Sequence, residues 1–582
     1  MGTITPPITR KWWKEAVVYQ VYPRTFKDSN GDGIGDLQGL HHSIDYIASL
    51  GVDILWINPV FQSSGYDNGY DIVDFKAIQP EYGTMADLQQ VIDAAHRKGL
   101  RIIIDMVVNH TSERHEWFRS ARTSREDVYY KFYHWWPAEK GDPPYRCGFF
   151  DTDGQGWRYN KPTDSWYLHY FSPEQPDLNW ENPEVRRQLY DILRFWLAKG
   201  FDGFRFDALT FISKDTTFPG ITPAILKEKY HDDWGHYYAS GPHLHDYLKE
   251  MRREVLAGHD VVAIAEAPGI PPEDAPLFVA EDRGELDLIT HFDGIALGYV
   301  PGEFKKPDPN GYNMHEFKKV YTTWSDTYNR AGWGTIYLGN HDQPRMVSRW
   351  GDDGDKFRTL SEKLLFTFLL TMRSTPFIYN GDELGMKSIR FTRIDEYEDI
   401  ETHRIYDRLV AKSGDAADFL HDQQVTGRDN GRTPMQWTAG PNAGFTTGTP
   451  WLKINPDHPQ VNRESEERDP ASVLNYVRRL LLIRRQCPAL IYGDYTLLTH
   501  DDSRVYAYIR SWEVSTYAVL LNFSDAENTF DHLLSQPAAN DILINNYPGL
   551  RWLRTGLLLA PWQAVVFGCL PTHFHVRPSS PR

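Results

Sequence analysis

The chain has 582 residues, 41 % of them hydrophobic, and a formal net charge of −17 at pH 7. That length exceeds one ordinary compact domain, so a large domain joined by smaller ones is expected. The acidic balance opposes a polyanionic partner such as nucleic acid and offers no basic patch to anionic lipid.

Three cysteines, Cys147, Cys487 and Cys569, stand far apart, with neither metal-ligand spacing nor a disulfide framework. A reducing compartment fits them. The N-terminal stretch runs into Lys11-Trp-Trp-Lys14 without the pattern of a secretory signal, and no apolar run reaches the length of a membrane span. A cytoplasmic protein with no membrane partner is therefore expected. Aromatic residues make up 14 % of the chain, and their flat faces suit sugar rings as well as barrel cores.

Eight short β-rich runs read as strands in chain order: Val17–Tyr22, Asp53–Asn58, Arg101–Val108, Asp202–Asp207, Val261–Glu266, Leu286–Phe292, Thr335–Gly339 and Pro376–Tyr379. Helical periodicity follows most of them, as in Asp87–Lys98 and in Pro183–Lys199, which Asn182 can cap. This alternation predicts an α/β fold, a parallel (β/α)₈ barrel over 1–110 and 180–490. Residues 111–179, rich in Trp, Tyr, Gly and Pro, interrupt the rhythm and read as an inserted subdomain after the third strand. From 491 to 582 the pattern becomes short strands between polar turns, which predicts a closing antiparallel β domain. Its runs are Tyr495–Leu498, Val505–Arg510, Tyr517–Asn522, Ile542–Asn545 and Val565–Phe567, and Pro578–Arg582 is expected to fray.

In a parallel barrel, chemistry sits at the C-terminal ends of the strands. Asp207 ends Gly203-Phe-Arg-Phe-Asp207, with Arg205 on the same face, and Glu266 ends Val262-Ala-Ile-Ala-Glu266. His341 and Asp342 follow Tyr337-Leu-Gly-Asn340, and His110 closes Asp105-Met-Val-Val-Asn-His110. A single carboxylate after a strand most often caps the next helix. Four strand ends carrying Asp, Glu, His and Arg together match the acid, base and nucleophile that cleavage of an acetal requires.

These blocks, in this order, resemble the α-amylase superfamily, glycoside hydrolase family 13. Gln175-Pro-Asp-Leu-Asn179, Asp67-Asn-Gly-Tyr-Asp71 and Arg428-Asp-Asn-Gly-Arg-Thr-Pro-Met-Gln-Trp437 extend the likeness to the oligo-1,6-glucosidase and α-glucosidase branch. The resemblance implies Asp207 as nucleophile, Glu266 as general acid and then base, and Asp342 as stabiliser of the transition state. It gives Arg205 the task of keeping Asp207 ionised, His110 and His341 bonds to glucose hydroxyls, and Tyr70 a stacking face. Asp67 with Arg432, preferred over Arg428, would grip the non-reducing end. The implied partners are small-molecule α-glucosides, the mechanism is retaining, and a monomer or homodimer is expected.

Asp28-Ser-Asn30-Gly-Asp32-Gly-Ile34-Gly-Asp36 places oxygen donors at alternate positions, like the first part of an EF-hand loop, although position twelve is Gly39 instead of Glu. The resemblance implies a structural Ca²⁺, or Mg²⁺, on Asp28, Asn30, Asp32, the Ile34 carbonyl and Asp36. A plain turn held by Asx bonds is the alternative. No organic cofactor is expected.

Three features depart from the branch. Ala208 follows the nucleophile where members favouring α-1,6 bonds carry Val, which moves the expectation toward maltose-like or sucrose-like α-glucosides. Ile295-Ala-Leu-Gly-Tyr-Val-Pro-Gly-Glu-Phe304 stands where sucrose isomerases carry Arg-Leu-Asp-Arg-Asp, so hydrolysis is expected over isomerisation or transglycosylation. Arg146–Trp157 differs from the usual Phe-Gly-Gly-Ser-Ala-Trp, which leaves the aglycone preference open. A catalytically dead barrel of the transporter-subunit kind is disfavoured, because all three carboxylates are present and no membrane helix is found.

Overall fold

The computed structural model describes residues 9–150, 155–230, 235–300, 305–531 and 541–568. The opening stretch before Thr9, Cys569 and the Pro578–Arg582 end lie outside the described residues, as do parts of the 146–157 and 295–304 segments.

Eight strands make one parallel sheet: β1 (Val18–Val21), β2 (Ile54–Ile57), β3 (Arg101–Val107), β4 (Gly203–Asp207), β5 (Val262–Glu266), β6 (Leu288–Thr290), β7 (Thr335–Ile336) and β8 (Thr375–Tyr379). Their spatial order is β6-β5-β4-β3-β2-β1-β8-β7. The two ends of that order meet: Thr335 Oγ1 donates to the Ile289 carbonyl at 3.1 Å, and Tyr337 OH donates to the His291 carbonyl at 2.7 Å. The sheet thus closes as a (β/α)₈ barrel. The expected strands are all present, and β6 and β7 are shorter than their apolar runs.

These strands are apolar on both faces because one faces the barrel interior and the other the helices. Val18, Ile54, Trp56, Ile103, Val262, Ile264, Leu288 and Phe377 share one core cluster. Their neighbours Tyr19, Leu55, Ile57, Ile102, Ile104, Ala263, Ala265 and Ile289 belong to the larger cluster that the helices join. Continued by two residues at a time, the first row passes from hydrocarbon to charge: Ile103 to Asp105, Gly203 to Arg205 to Asp207, and Ile264 to Glu266. The register places Asp105 and Ile264 beside Arg205 and brings Glu266 level with Asp207.

Two helices show how the connections are cut to length. Met85–Arg97 starts at a capping box in which Thr84 and Asp87 satisfy each other's free N–H groups. Pro183–Ala198 starts at Asn182, whose Oδ1 accepts the Glu184 N–H at 3.0 Å. Between β3 and the second helix stands a three-stranded antiparallel sheet, Trp135–Pro137, Ser165–Leu168 and Trp157–Asn160.

After Tyr492 the chain forms a five-stranded antiparallel sheet from Asp494–Leu497, Val505–Trp512, Ser515–Asn522, Ala564–Phe567 and Ile542–Asn545. A second sheet, Asn528–Phe530, Gly556–Leu559 and Arg551–Leu553, has no counterpart in the sequence reading. Its strands are three or four residues long, too short to show alternation. Among the described residues no helix is long and apolar enough to cross a membrane.

Candidate active site

One buried guanidinium organises the barrel mouth. Arg205 Nη1 donates to Asp105 Oδ1 and to Asp207 Oδ1, both at 2.9 Å, while its Nη2 lies 2.8 Å from Glu266 Oε1. The other Glu266 oxygen accepts the Ala208 N–H at 3.0 Å. Arg205 and Asp105 are closed off, at 3 % and 0 % side-chain exposure, whereas Asp207, Glu266 and Asp342 keep 13 %, 14 % and 32 %. Of the carboxylates around Arg205, Arg428 and Arg432, the three named from the sequence are therefore the most open to an incoming molecule.

Asp342 sits in a second charged group. Its Oδ1 accepts from Arg428 Nη1 at 3.1 Å and Arg432 Nη2 at 2.8 Å, and its Oδ2 is 3.2 Å from His341 Nε2. Arg428 Nη2 reaches Asp67 Oδ1 at 3.5 Å, and the other Asp67 oxygen accepts from Gln175 Nε2 at 3.1 Å. Arg432 instead donates to the His341 carbonyl at 2.7 Å. Of the two arginines weighed for the non-reducing end, Arg428 is the one that reaches Asp67, while Arg432 braces the backbone behind Asp342.

The histidines are set by their neighbours. Gln20 Nε2 donates to His341 Nδ1 at 2.8 Å, which assigns the ring proton to Nε2, facing Tyr70 Oη at 2.6 Å and Asp342. Tyr70 OH donates to Asp105 Oδ2 at 2.9 Å, and its ring stacks on His341 with centroids 5.3 Å apart. His110 Nε2 lies 3.2 Å from the Tyr70 carbonyl and 3.1 Å from Gln175 Nε2. Burial pushes both imidazoles down to about 3, so both are neutral hydrogen-bonding groups at neutral pH.

The carboxyls respond differently. Burial first, and then the charge of Glu266, push Asp207 well above the ordinary carboxylate range, and Arg205 does not cancel them. Arg205 pulls Asp207 toward its ionised form, but its single charge is divided among Asp105, Asp207 and Glu266. Burial also raises Asp105 to about 6 against the pull of Arg205, and Asp67 to about 7 against Arg428 and Arg432. At Asp342 burial is outweighed by His341, Arg428 and Arg432, which hold it well below the usual range. The site therefore offers one firmly ionised carboxylate, Asp342, and beside it a second, Asp207, that burial and a neighbouring like charge dispose to hold a proton.

Several contributors carry no sequence signal of their own. Asp399 accepts from Arg428 Nε at 2.9 Å but reads as the cap of helix Ile400–Ser413, which it also is. Buried Lys214 donates to Asn109 Oδ1 at 2.9 Å and to the Phe211 carbonyl at 2.8 Å, and pairs with buried Asp177 at 3.1 Å. That single ammonium ties the end of β3, the turn after β4 and the Gln175–Asn179 block together.

The glycine-rich loop lies apart from this cluster. Asp28 accepts the N–H groups of Asn30, Gly31 and Gly33 and the Thr446 hydroxyl, and Asp36 accepts from Ser29 and Gly39. Asn30 Oδ1 accepts from Asp32 N–H and Asp32 Oδ1 from Ile34 N–H, each at 2.8 Å. The arrangement is a succession of Asx turns. Among the described residues, no group of three or more His, Cys, Asp or Glu side chains is gathered to hold a metal ion.

A (β/α)₈ barrel whose strand ends gather an arginine, paired carboxylates and neutral histidines defines a glycoside hydrolase. The model of the alpha amylase catalytic domain matches residues 20–493, and the chain belongs to that family. It is 42 % identical to the oligo-1,6-glucosidase of Parageobacillus thermoglucosidasius over 567 residues, covering 96 % of this chain and 99 % of that protein. It is 40 % identical to the alpha-glucosidase of Pediococcus pentosaceus, covering 93 % and 96 %. Among solved structures, a mutant isomaltulose synthase from Erwinia rhapontici NX5 in complex with sucrose superposes with a TM-score of 0.91 at 40 % identity, covering 96 % of this chain and 99 % of that one.

Proposed function

We propose that the protein is a retaining, exo-acting α-glucosidase that removes the terminal glucose of short α-glucosides through a covalent β-glucosyl-enzyme. The observation that carries this reading is that Asp207 and Glu266 end adjacent strands, level with each other, on the two nitrogens of one guanidinium. Two carboxyls held on one guanidinium form a close pair, as the roughly 5–5.5 Å between the carboxyls of retaining enzymes requires.

In this mechanism Asp207 attacks C1 while Glu266 gives its proton to the departing oxygen. The glucosyl ester then yields to water, whose proton returns to Glu266. The proton must sit on Glu266 when Asp207 attacks. Asp342, held ionised by Arg428 and Arg432, faces the positive charge that develops on the sugar ring. Asp67, Arg428, His110 and His341 bind the glucose hydroxyls, and Tyr70 stacks on the ring.

Similarity to an isomaltulose synthase complexed with sucrose favours a second reading, transfer or isomerisation. The uncharged Ile295–Val300 segment favours hydrolysis. Initial rates and products on maltose, isomaltose, sucrose, trehalose and soluble starch test the choice. Free glucose from maltose-like substrates with little action on starch supports hydrolysis of short chains; trehalulose or isomaltulose as the main product from sucrose supports the second reading. The oxygen-only donor set of the Asp28–Asp36 loop suits a hard cation such as Ca²⁺ or Mg²⁺, which would brace the loop and take no part in the chemistry.

A further inference from the structure

Arg349 stands outside the glucose-binding groups, on helix Met346–Trp350, a few residues after Asp342. Its guanidinium lies over two rings, 4.6 Å from the centroid of Tyr299 and 4.6 Å from that of Trp350. It donates to the carbonyls of Ile295 and Leu297, the second at 3.2 Å, and to Gln343 Oε1. Gln343 is buried and directly follows Asp342. One side chain therefore joins the loop after β6 to the block that carries Asp342. A planar fork that stacks on aromatic faces can do this, and a lysine ammonium can do so only in part.

The position of that loop indicates which part of the reaction it serves. The groups around Asp67 come from segments that follow β2, β3 and β8. The loop after β6 supplies none of them and leaves the barrel beside Glu266, whose register partner is Thr290, the last residue of β6. Glu266 is the group that handles the leaving oxygen and then the acceptor. We infer that Arg349 is a positioning residue of the acceptor side, holding the 295–300 wall in place and so setting how the glucosyl-enzyme divides between water and a second sugar.

The inference rests on the covalent intermediate proposed above. In either branch the acceptor O–H gives its proton to Glu266, its oxygen bonds to C1, and the ester bond to Asp207 breaks. Water gives glucose; a sugar gives a longer glucoside. Both branches start from one intermediate, so their ratio is independent of how fast it forms and of the fraction of enzyme that is folded. A purely structural role for Arg349 leaves that ratio unmoved.

The test compares Arg349→Ala, Arg349→Lys and Tyr299→Leu with the unaltered enzyme. Free glucose and transfer products are measured on concentrated maltose with added glucose as acceptor, and p-nitrophenol release from its α-glucoside reports the first step. The transfer-to-hydrolysis ratio should fall at least about fivefold in Arg349→Ala and less in the other two, while p-nitrophenol release stays within about twofold. An unmoved or rising ratio, or an unaltered enzyme that transfers nothing, overturns the inference and leaves the glucosidase reading standing. An unaltered enzyme that releases no p-nitrophenol overturns both. Tyr299→Leu and Arg349→Lys carry the test if Arg349→Ala does not fold.

Discussion

Ala208 donates its backbone N–H to Glu266 Oε2 at 3.0 Å, so the residue after the proposed nucleophile helps to aim the proposed acid. It does so from a left-handed conformation, φ 43°, which is uncommon outside glycine. Its methyl is buried in a cluster that includes Trp157, Tyr170 and Phe211.

Ala208→Val puts a β-branched side chain at that positive φ and into that packing. It should destabilise the protein by about 1–3 kcal/mol and lower kcat by disturbing the bond to Glu266. The isomaltose-to-maltose ratio of kcat/KM should nevertheless rise, because the branch members that favour α-1,6 bonds carry Val at this position. Thermal melts and rates on both disaccharides check this; an unchanged ratio separates Ala208 from linkage preference.

A pH prediction follows from Asp207 and Asp105. Activity needs one proton in the Asp207–Glu266 pair. Burial and the Glu266 charge raise Asp207, so that proton persists to higher pH than in free carboxylic acids, and the basic limb of kcat/KM should lie above the ordinary carboxylate range. The Asp105 charge contributes to the rise. Asp105→Asn removes it, keeps an acceptor for Tyr70, and should move the basic limb to lower pH. A limb that stays put or moves up shows that Asp105 does not act on the pair.

Lys214 and Asp177 are a buried pair, and breaking one side leaves the other uncompensated. Lys214→Met should cost about 3–5 kcal/mol. The double variant Lys214→Met with Asp177→Asn should recover much of that. Urea unfolding of the three proteins measures it, and equal losses in the single and double variants would show that the charge of Asp177 is not the source.

The Asp28–Asp36 loop gives a metal-removal test. If a Ca²⁺ or Mg²⁺ braces it, EDTA should lower Tm, added cation should restore it, and Asp32→Ala should abolish the difference. An unmoved Tm with no metal detected by elemental analysis leaves the Asx turns sufficient by themselves.

The barrel was legible because its strands are buried on both faces and read as unbroken apolar runs, each ending in a polar residue at the mouth. Asp207, Glu266 and Asp342 were legible for the same reason. What the sequence could not show is how charges are shared. Arg205 lies two residues from Asp207, and that spacing suggests a private pair. Only the closed barrel brings Asp105 and Glu266 to the same guanidinium. The choice between Arg428 and Arg432 likewise depends on where a long segment after β8 returns to the mouth. Asp399 and Lys214 act across more than 100 residues of chain or from a capping position, where local pattern carries no information.

The central claim is that Asp207 forms a bond to the sugar. A fluorinated α-glucosyl fluoride, which slows the second step more than the first, should accumulate the intermediate. Mass spectrometry of the digested protein should then find one glucosyl unit on the peptide containing Asp207, absent in Asp207→Asn. A label on another residue, or an unlabelled active enzyme whose first-formed glucose is the β anomer, would contradict it.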